Sequence, residues 1–459
     1  MIKLISVFLV CIMLFGMVSC SSSKGNTVTT AASTQASNPQ DETTQGATNE
    51  TTDTEENGET TTADVEQPVV SPYGIDMSDL NDLMQPIFAG TSVKNETVMF
   101  IDYGDVRTLL FPIDSIISVT SYDGSIVYEE GKDYELVDGK IKVLANSSIP
   151  CITTENYYNA GSGTLKTKYN GKVVNTYWGE DMMDEWQVNI NYTHSSIWNG
   201  FKQESKSDIY ADFIDKLMNG EDVTVIFSGD SITYGANASW VNGYAPYQHS
   251  YPMLFVEALA DLFDYTVQYV RVNHMLAKTA PVPTEDYVAG SKGTITYINT
   301  AVGGWTSAQG KNNAATYVVD YASVYGCDLL VLAYGMNDGG DPMETRNNVK
   351  AIADSVLQVK PETDVVLLST MVCNPADYNR SAASKANQRG ELNNLAAYYL
   401  ENGVACGVCD MGSVSLSVLT RKTFHDYSGN NINHPNDFFV RVYAQTLLQT
   451  VIGYENMNQ

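Results

Sequence analysis

Between residues 69 and 206 the apolar positions recur at every second residue in short runs: TVMFIDYG, RTLLFPI, SIISVTSYDGSIVYEE, DYELVDGKIKVLA and EWQVNINYTH. Alternation at period two lays one row of side chains on a core and the other toward water, so these runs predict half-buried strands. Asp123-Gly124 and Asp138-Gly139 each fall between two such runs. Both residues of such a pair accept a left-handed backbone, which a tight hairpin turn requires. The segment 69–206 is therefore expected to be an antiparallel β-sandwich, jelly-roll-like in form. From 207 to 459 the pattern changes. Runs that are apolar on both faces (Val223 to Phe227, Thr294 to Asn299, Leu329 to Ala333, Val365 to Ser369, Val404 to Cys409) alternate with helical stretches near Tyr251 to Phe263, Ala308 to Tyr321, Arg346 to Val359, Ser384 to Glu401 and Asp437 to Ile452. Strands buried on both faces and separated by helices imply a parallel sheet covered on each side, a three-layer α/β/α domain. In such sheets ligands sit beyond the carboxyl ends of the strands, so the residues that follow each run are where chemistry is expected.

The N-terminal end departs from both patterns. Lys3 precedes a strongly apolar stretch that closes at Val18, Ser19 and Cys20. Residues 1–19 resemble a bacterial lipoprotein signal, which implies cleavage before Cys20, lipidation of that cysteine and an extracytoplasmic, membrane-anchored protein. Residues 20–68 are Ser, Thr, Asn, Gln, Gly and acids, too poor in large apolar groups to offset the entropy of ordering, and read as a disordered linker. The formal net charge is -28, which repels nucleic acid and anionic lipid, so membrane contact is expected through the lipid anchor only and a neutral substrate is favoured. Beyond the leader, Cys151, Cys327, Cys373, Cys406 and Cys409 are odd in number and scattered, which argues against a disulfide scaffold. Cys406 and Cys409 form a C-x-x-C, but VACGVCDM reads as a buried strand with no second pair, so neither metal nor cofactor is expected.

The strand ends carry the candidate chemistry. The first ends in SGDSIT with Gly229, Asp230 and Ser231, the second in NTAVGGWTS with Gly303 and Gly304, and the third in YGMND with Asn337. NNINHPND places His434 on a loop just before the last helix. In this order and spacing the four blocks resemble the SGNH (GDSL-like) hydrolases, over about 240 residues. A serine hydroxyl is a poor nucleophile until a base takes its proton, and His434 is the candidate base. The resemblance implies an oxyanion site made by the Ser231 amide, the Gly304 amide and the Asn337 side chain. One position departs: the family's usual acid three residues before the histidine is Asn431 here. The histidine is then oriented by Asn431 or a backbone carbonyl in a Ser-His dyad, or served by Asp426, or the site is inactive. His249 and Asp230 are further candidates on the substrate side.

A β-sandwich ahead of such a domain resembles the layout of certain carbohydrate esterases, which implies an acetylated carbohydrate as substrate. Trp305, directly after Gly304, and Trp240, in the loop after Ser231, are candidates to stack on a sugar ring or, equally, to pack locally. The reading is a serine esterase that removes O-acetyl groups from carbohydrate through an acyl-serine intermediate. Two others stay open: a lipase-like or thioester hydrolase with the same machinery, and a surface glycan-binding protein without activity.

Overall fold

The computed structural model describes residues 80–454 except 160–165, 170–171, 176–182, 273–286, 289 and 377–380. The leader, Cys20 and the linker lie outside the described residues. Toward the N-terminus, a five-stranded sheet runs in the order Val127–Tyr128, Ser115–Ser121, Gln187–Thr193, Ser92–Ile101, Cys151–Ile152, and a second sheet comprises Val106–Arg107, Lys140–Val143 and Tyr134–Val137. Asp138 and Gly139 close the last hairpin with φ of 50° and 71°, between the paired residues Val137 and Lys140. Two consecutive positive φ values match the strands' right-handed twist, which is why Asp-Gly serves there. One pair departs from the antiparallel expectation, since Phe100 and Ile101 run parallel to Cys151 and Ile152. A second departure concerns the outward row. Thr97, Gln187 and Asn189 are polar and at alternate positions, yet each is buried, because Thr97 and Gln187 bond the chain at 425–428 and Asn189 bonds the Ser121 and Tyr122 carbonyls rather than water.

The α/β region is built on a seven-stranded sheet in the order Tyr287–Val288, Thr266–Val270, Thr294–Asn299, Val223–Gly229, Leu329–Ala333, Asp364–Ser369, Cys406–Asp410. Six strands are parallel and only the edge pair 266–267 with 287–288 is antiparallel. The central strand Val223–Gly229 is buried along its whole length. Its neighbours follow it in sequence on opposite sides, so a topological switch point lies at its carboxyl end, where loops diverge and leave a crevice. Thr266–Val270, with only one fully buried residue, is too polar to stand out as a strand in the sequence. The helical stretch near 308–321 is broken into Ser307–Asn312, a π turn at Ala315–Val319 and Asp320–Tyr325. Cys406 and Cys409 are buried in the last strand.

The helix Asp437–Ile452 is buried on every side. It joins Val188 and Tyr192 of the N-terminal sheet and Val225 and Phe227 of the central strand in one continuous hydrophobic core. All described residues fall in one compact unit.

Candidate active site

Ser231 emerges where the central strand turns sharply. Gly229 is needed because a side-chain carbon there would collide with Thr233 Oγ1 and the Ala333 carbonyl. Asp230 caps the short turn Ser231–Tyr234 by accepting the Ile232 amide at 3.0 Å, and Gly235 closes it with a φ of 99°. Burial pushes the Asp230 carboxyl up to about 7, and the nearby charge of Asp338 adds to the rise. Asp230 is thus a buried cap and does not face a substrate, contrary to the expectation from sequence.

His434 meets the serine as expected, with Nε2 2.9 Å from Ser231 Oγ. Its other ring nitrogen, Nδ1, is 2.6 Å from Asn237 Oδ1. The Asn237 amide nitrogen faces the Gly429 carbonyl at 3.4 Å. A carbonyl only accepts, so the amide oxygen is the end turned to the imidazole. The Nδ1 hydrogen is donated to that oxygen, Nε2 keeps its lone pair, and the Ser231 hydroxyl donates to it. This is the tautomer a general base requires.

The loop that carries His434 is knitted from within. Asn430 Oδ1 accepts the amides of Ile432, Asn433 and His434 at 2.9, 3.0 and 3.1 Å. The Ser428 hydroxyl donates to the His434 carbonyl at 2.9 Å and accepts the Asn431 amide at 2.9 Å. Asn431 does not take the place expected of it three residues before the histidine. It adopts a φ of 57°, accepts from Asn374 Nδ2 at 2.9 Å and donates to the Tyr157 hydroxyl at 3.2 Å.

Asp426 is likewise committed elsewhere. Its carboxylate pairs with Arg107 at 2.7 Å and accepts the Met99 and Thr423 amides. Burial alone would push that carboxyl up, but Arg107, His425 and Lys422 outweigh it and hold it well below the usual carboxylate range. Both corrections have one cause. The backbone turns at 428–434 and directs the imidazole toward the serine's own loop, so its partner comes from there.

The remaining expected groups divide. Gly304 is exposed, with a φ of 79° and open space where a side chain would stand. Asn337 donates one amide hydrogen to the Trp305 carbonyl at 3.1 Å, which orients the group and leaves its second hydrogen for another acceptor. Ser231, Gly304 and Asn337 follow three adjacent strands of the sheet. Trp305 is half-buried, with its ring 4.9 Å from that of Tyr317. Trp240 is buried edge-on to His249 at 5.1 Å, and His249 is itself buried, 2.6 Å from Glu257. Neither offers a face to a sugar, because the helix Tyr251–Phe263 packs this segment inward. Asn237 is the residue the sequence reading missed. In YGANASW it looks like any asparagine of a left-handed turn, with a φ of 68°, and no local signal separates that role from contact with an imidazole.

An α/β sheet with a serine at its switch point, hydrogen-bonded to a histidine from the last loop, is the arrangement of a serine hydrolase. Residues 227–438 match the model of the GDSL-like lipase/acylhydrolase family. Similar solved structures include a two-domain esterase (CEX) active on acetylated mannans, co-crystallised with mannopentaose. It is 19% identical over 57% of this chain and 55% of that chain, with a TM-score of 0.38; the match thus spans about half the length of that esterase. A carbohydrate esterase family 3 structure from Talaromyces cellulolyticus is 14% identical over 50% of this chain and 97% of its own, with a TM-score of 0.34. A GDSL-like lipase from Bacteroides thetaiotaomicron is 15% identical over 55% of this chain and 98% of its own, with a TM-score of 0.31. None of the curated proteins compared with the chain matches it.

Proposed function

We propose that the protein is a serine esterase that removes O-acetyl groups from carbohydrate. The observation that carries this reading is the hydrogen-bonded run from Ser231 Oγ to His434 Nε2 and from Nδ1 to Asn237 Oδ1, at the carboxyl end of the central strand. Ser231 Oγ attacks the acetyl carbonyl carbon while His434 Nε2 takes its proton. The charge that develops on the carbonyl oxygen is met by the amides of Ser231 and Gly304 and by Asn337. His434 returns the proton to the departing sugar oxygen and leaves acetyl-Ser231. Water then attacks the acyl group with the same imidazole as base, and acetate and the free hydroxyl are regenerated. Asn237 holds the ring in register and accepts from the imidazolium, though without a full negative charge.

A neutral glycan suits a chain of net charge -28, and Trp305, half-buried beside the exposed Gly304, is an aromatic group available to a sugar. Anchorage through a lipid on Cys20 belongs to the same reading. Replacing Cys20 by alanine then moves the protein from the membrane to the soluble fraction of the expressing cell.

The deciding experiment measures acetate release from acetylated mannan and acetylated xylan by wild type and by Ser231→Ala. Release that depends on Ser231 supports the proposal; binding without such release supports the glycan-binding alternative. Faster turnover of p-nitrophenyl octanoate than of the acetate ester transfers the assignment to a lipase-like hydrolase.

A further inference from the structure

We infer that Gln187, on the N-terminal sheet, is a positioning residue for the hydrolase, and that the sheet serves as the template on which the histidine loop is set. The inference rests on the assignment of Ser231 and His434 above. Gln187 opens the strand Gln187–Thr193 and is 1% exposed. Its Nε2 donates to the carbonyls of His425 at 2.7 Å and Ser428 at 2.9 Å, and its Oε1 accepts from Asn436 Nδ2 at 2.9 Å. One side-chain amide therefore ties three points of the chain that flank His434 on both sides. Its orientation is forced, because two carbonyls can be met only by the donor end.

The two flanks lead directly to the imidazole. Ser428, held by Gln187 through its carbonyl, holds the His434 carbonyl through its hydroxyl. Asn436, held on the other side, caps the last helix by accepting the Phe439 amide at 3.2 Å. Neighbouring groups on the same face of the sheet repeat the pattern. Thr97 Oγ1 donates to the Asp426 carbonyl at 2.6 Å and accepts from Asn436 at 2.8 Å, and the Met99 amide donates to Asp426. Thr97 and Met99 pair across the ladder with Asn189 and Gln187, so these groups stand in register on one face. Thr97 and Gln187, polar groups that a free-standing sandwich would turn to water, are here saturated by the histidine loop. Buried amides of this kind impose position because any displacement leaves several polar groups unpaired at once. Displacement of a catalytic group by about 1 Å lowers rates by about a hundredfold.

The test uses the full chain and the rate at which a fluorophosphonate labels Ser231, which needs His434 but no knowledge of the natural ester. Gln187→Met keeps length and removes every hydrogen bond. Asn436→Asp keeps the capping oxygen while removing the donor to Gln187, and serves if the first variant folds poorly. Asn191→Leu is the control: it lies on the same strand, and its side chain bonds only Asn95 and Ser118 within the sheet. Labelling is expected to fall at least tenfold in Gln187→Met and Asn436→Asp and to stay within twofold in Asn191→Leu. The downfield proton signal of the His434 Nδ1–H is expected to vanish in the first two and persist in the control. Unchanged labelling in a folded Gln187→Met, or equal loss in Asn191→Leu, overturns the inference. Wild-type protein that is not labelled, or is labelled as fast without His434, overturns the hydrolase assignment and this inference with it.

Discussion

The contact between Asn237 and His434 gives the sharpest quantitative expectation. Asn237 occupies the left-handed region with a φ of 68°, which glycine and aspartate also accept, so Asn237→Gly and Asn237→Asp change the side chain without adding backbone strain. Asn237→Gly deletes the acceptor 2.6 Å from Nδ1. In the transition state that acceptor bonds an imidazolium, and a hydrogen bond to a charged group contributes about 1.5–3 kcal/mol. At 1.36 kcal/mol per tenfold, kcat/KM should fall roughly 10- to 150-fold. Asn237→Asp instead puts a carboxylate opposite the same hydrogen. The charge strengthens the bond by about 1 kcal/mol, which corresponds to a roughly fivefold gain. The change also gives up the contact of the amide nitrogen with the Gly429 carbonyl, which is weak at its length of 3.4 Å. Stabilising the imidazolium also moves the acid limb of the pH–rate profile to higher pH. Initial rates on p-nitrophenyl acetate across pH, with thermal unfolding measured in parallel, test both arms. Asn237→Gly within twofold of wild type, at equal stability, refutes the argument that this amide sets the histidine's orientation.

Three further outcomes are expected. Asn337→Ala removes one donor of the proposed oxyanion site and should lower kcat by about 10²- to 10³-fold, read from steady-state acetate release with KM for comparison. Arg107→Met strands the buried Asp426 carboxylate and should destabilise the protein by about 3–5 kcal/mol in urea unfolding, a loss that Asp426→Asn in the same chain should largely relieve. His425 is pushed down from 6.5 to about 4 by burial, although Asp426 beside it opposes the shift. The unfolded chain therefore takes up this proton first, and the neutral imidazole's contribution, roughly 3 kcal/mol, is complete above pH 6.5 and lost as pH falls toward 4. Asp230 and Asp437, both raised to about 7 by burial, work in the opposite sense over much of that range. The measurement is accordingly the stability gap between wild type and His425→Gln, which should narrow between pH 7 and pH 4.5.

Much of this molecule is readable from local pattern, and the reasons are physical. Five runs apolar on both faces mark five strands of the central sheet, because only a strand covered by helices on both sides tolerates such a run. Asp138-Gly139 marks a hairpin because few dipeptides accept its backbone. Ser231, Gly304 and Asn337 follow successive strands, and a parallel sheet gathers the ends of its strands along one edge. Thr266–Val270 escaped notice because a strand near the sheet edge buries little and shows no apolar run.

The amino-acid sequence by itself thus determined most of the elements and their layering, since these follow from interactions among near neighbours in the chain, and through the layering the edge of the sheet at which the serine stands. Only the tertiary structure decided which groups serve the histidine. Asn237 and His434 are 197 residues apart, and Gln187 reaches Ser428 across 241. An amide carries the same local preferences whether it faces water, a carbonyl or an imidazole. Its role is settled by the packing of distant segments, which no short stretch of sequence encodes. For the same reason Asn431 and Asp426, the two side chains expected to serve the histidine, satisfy buried partners of their own instead.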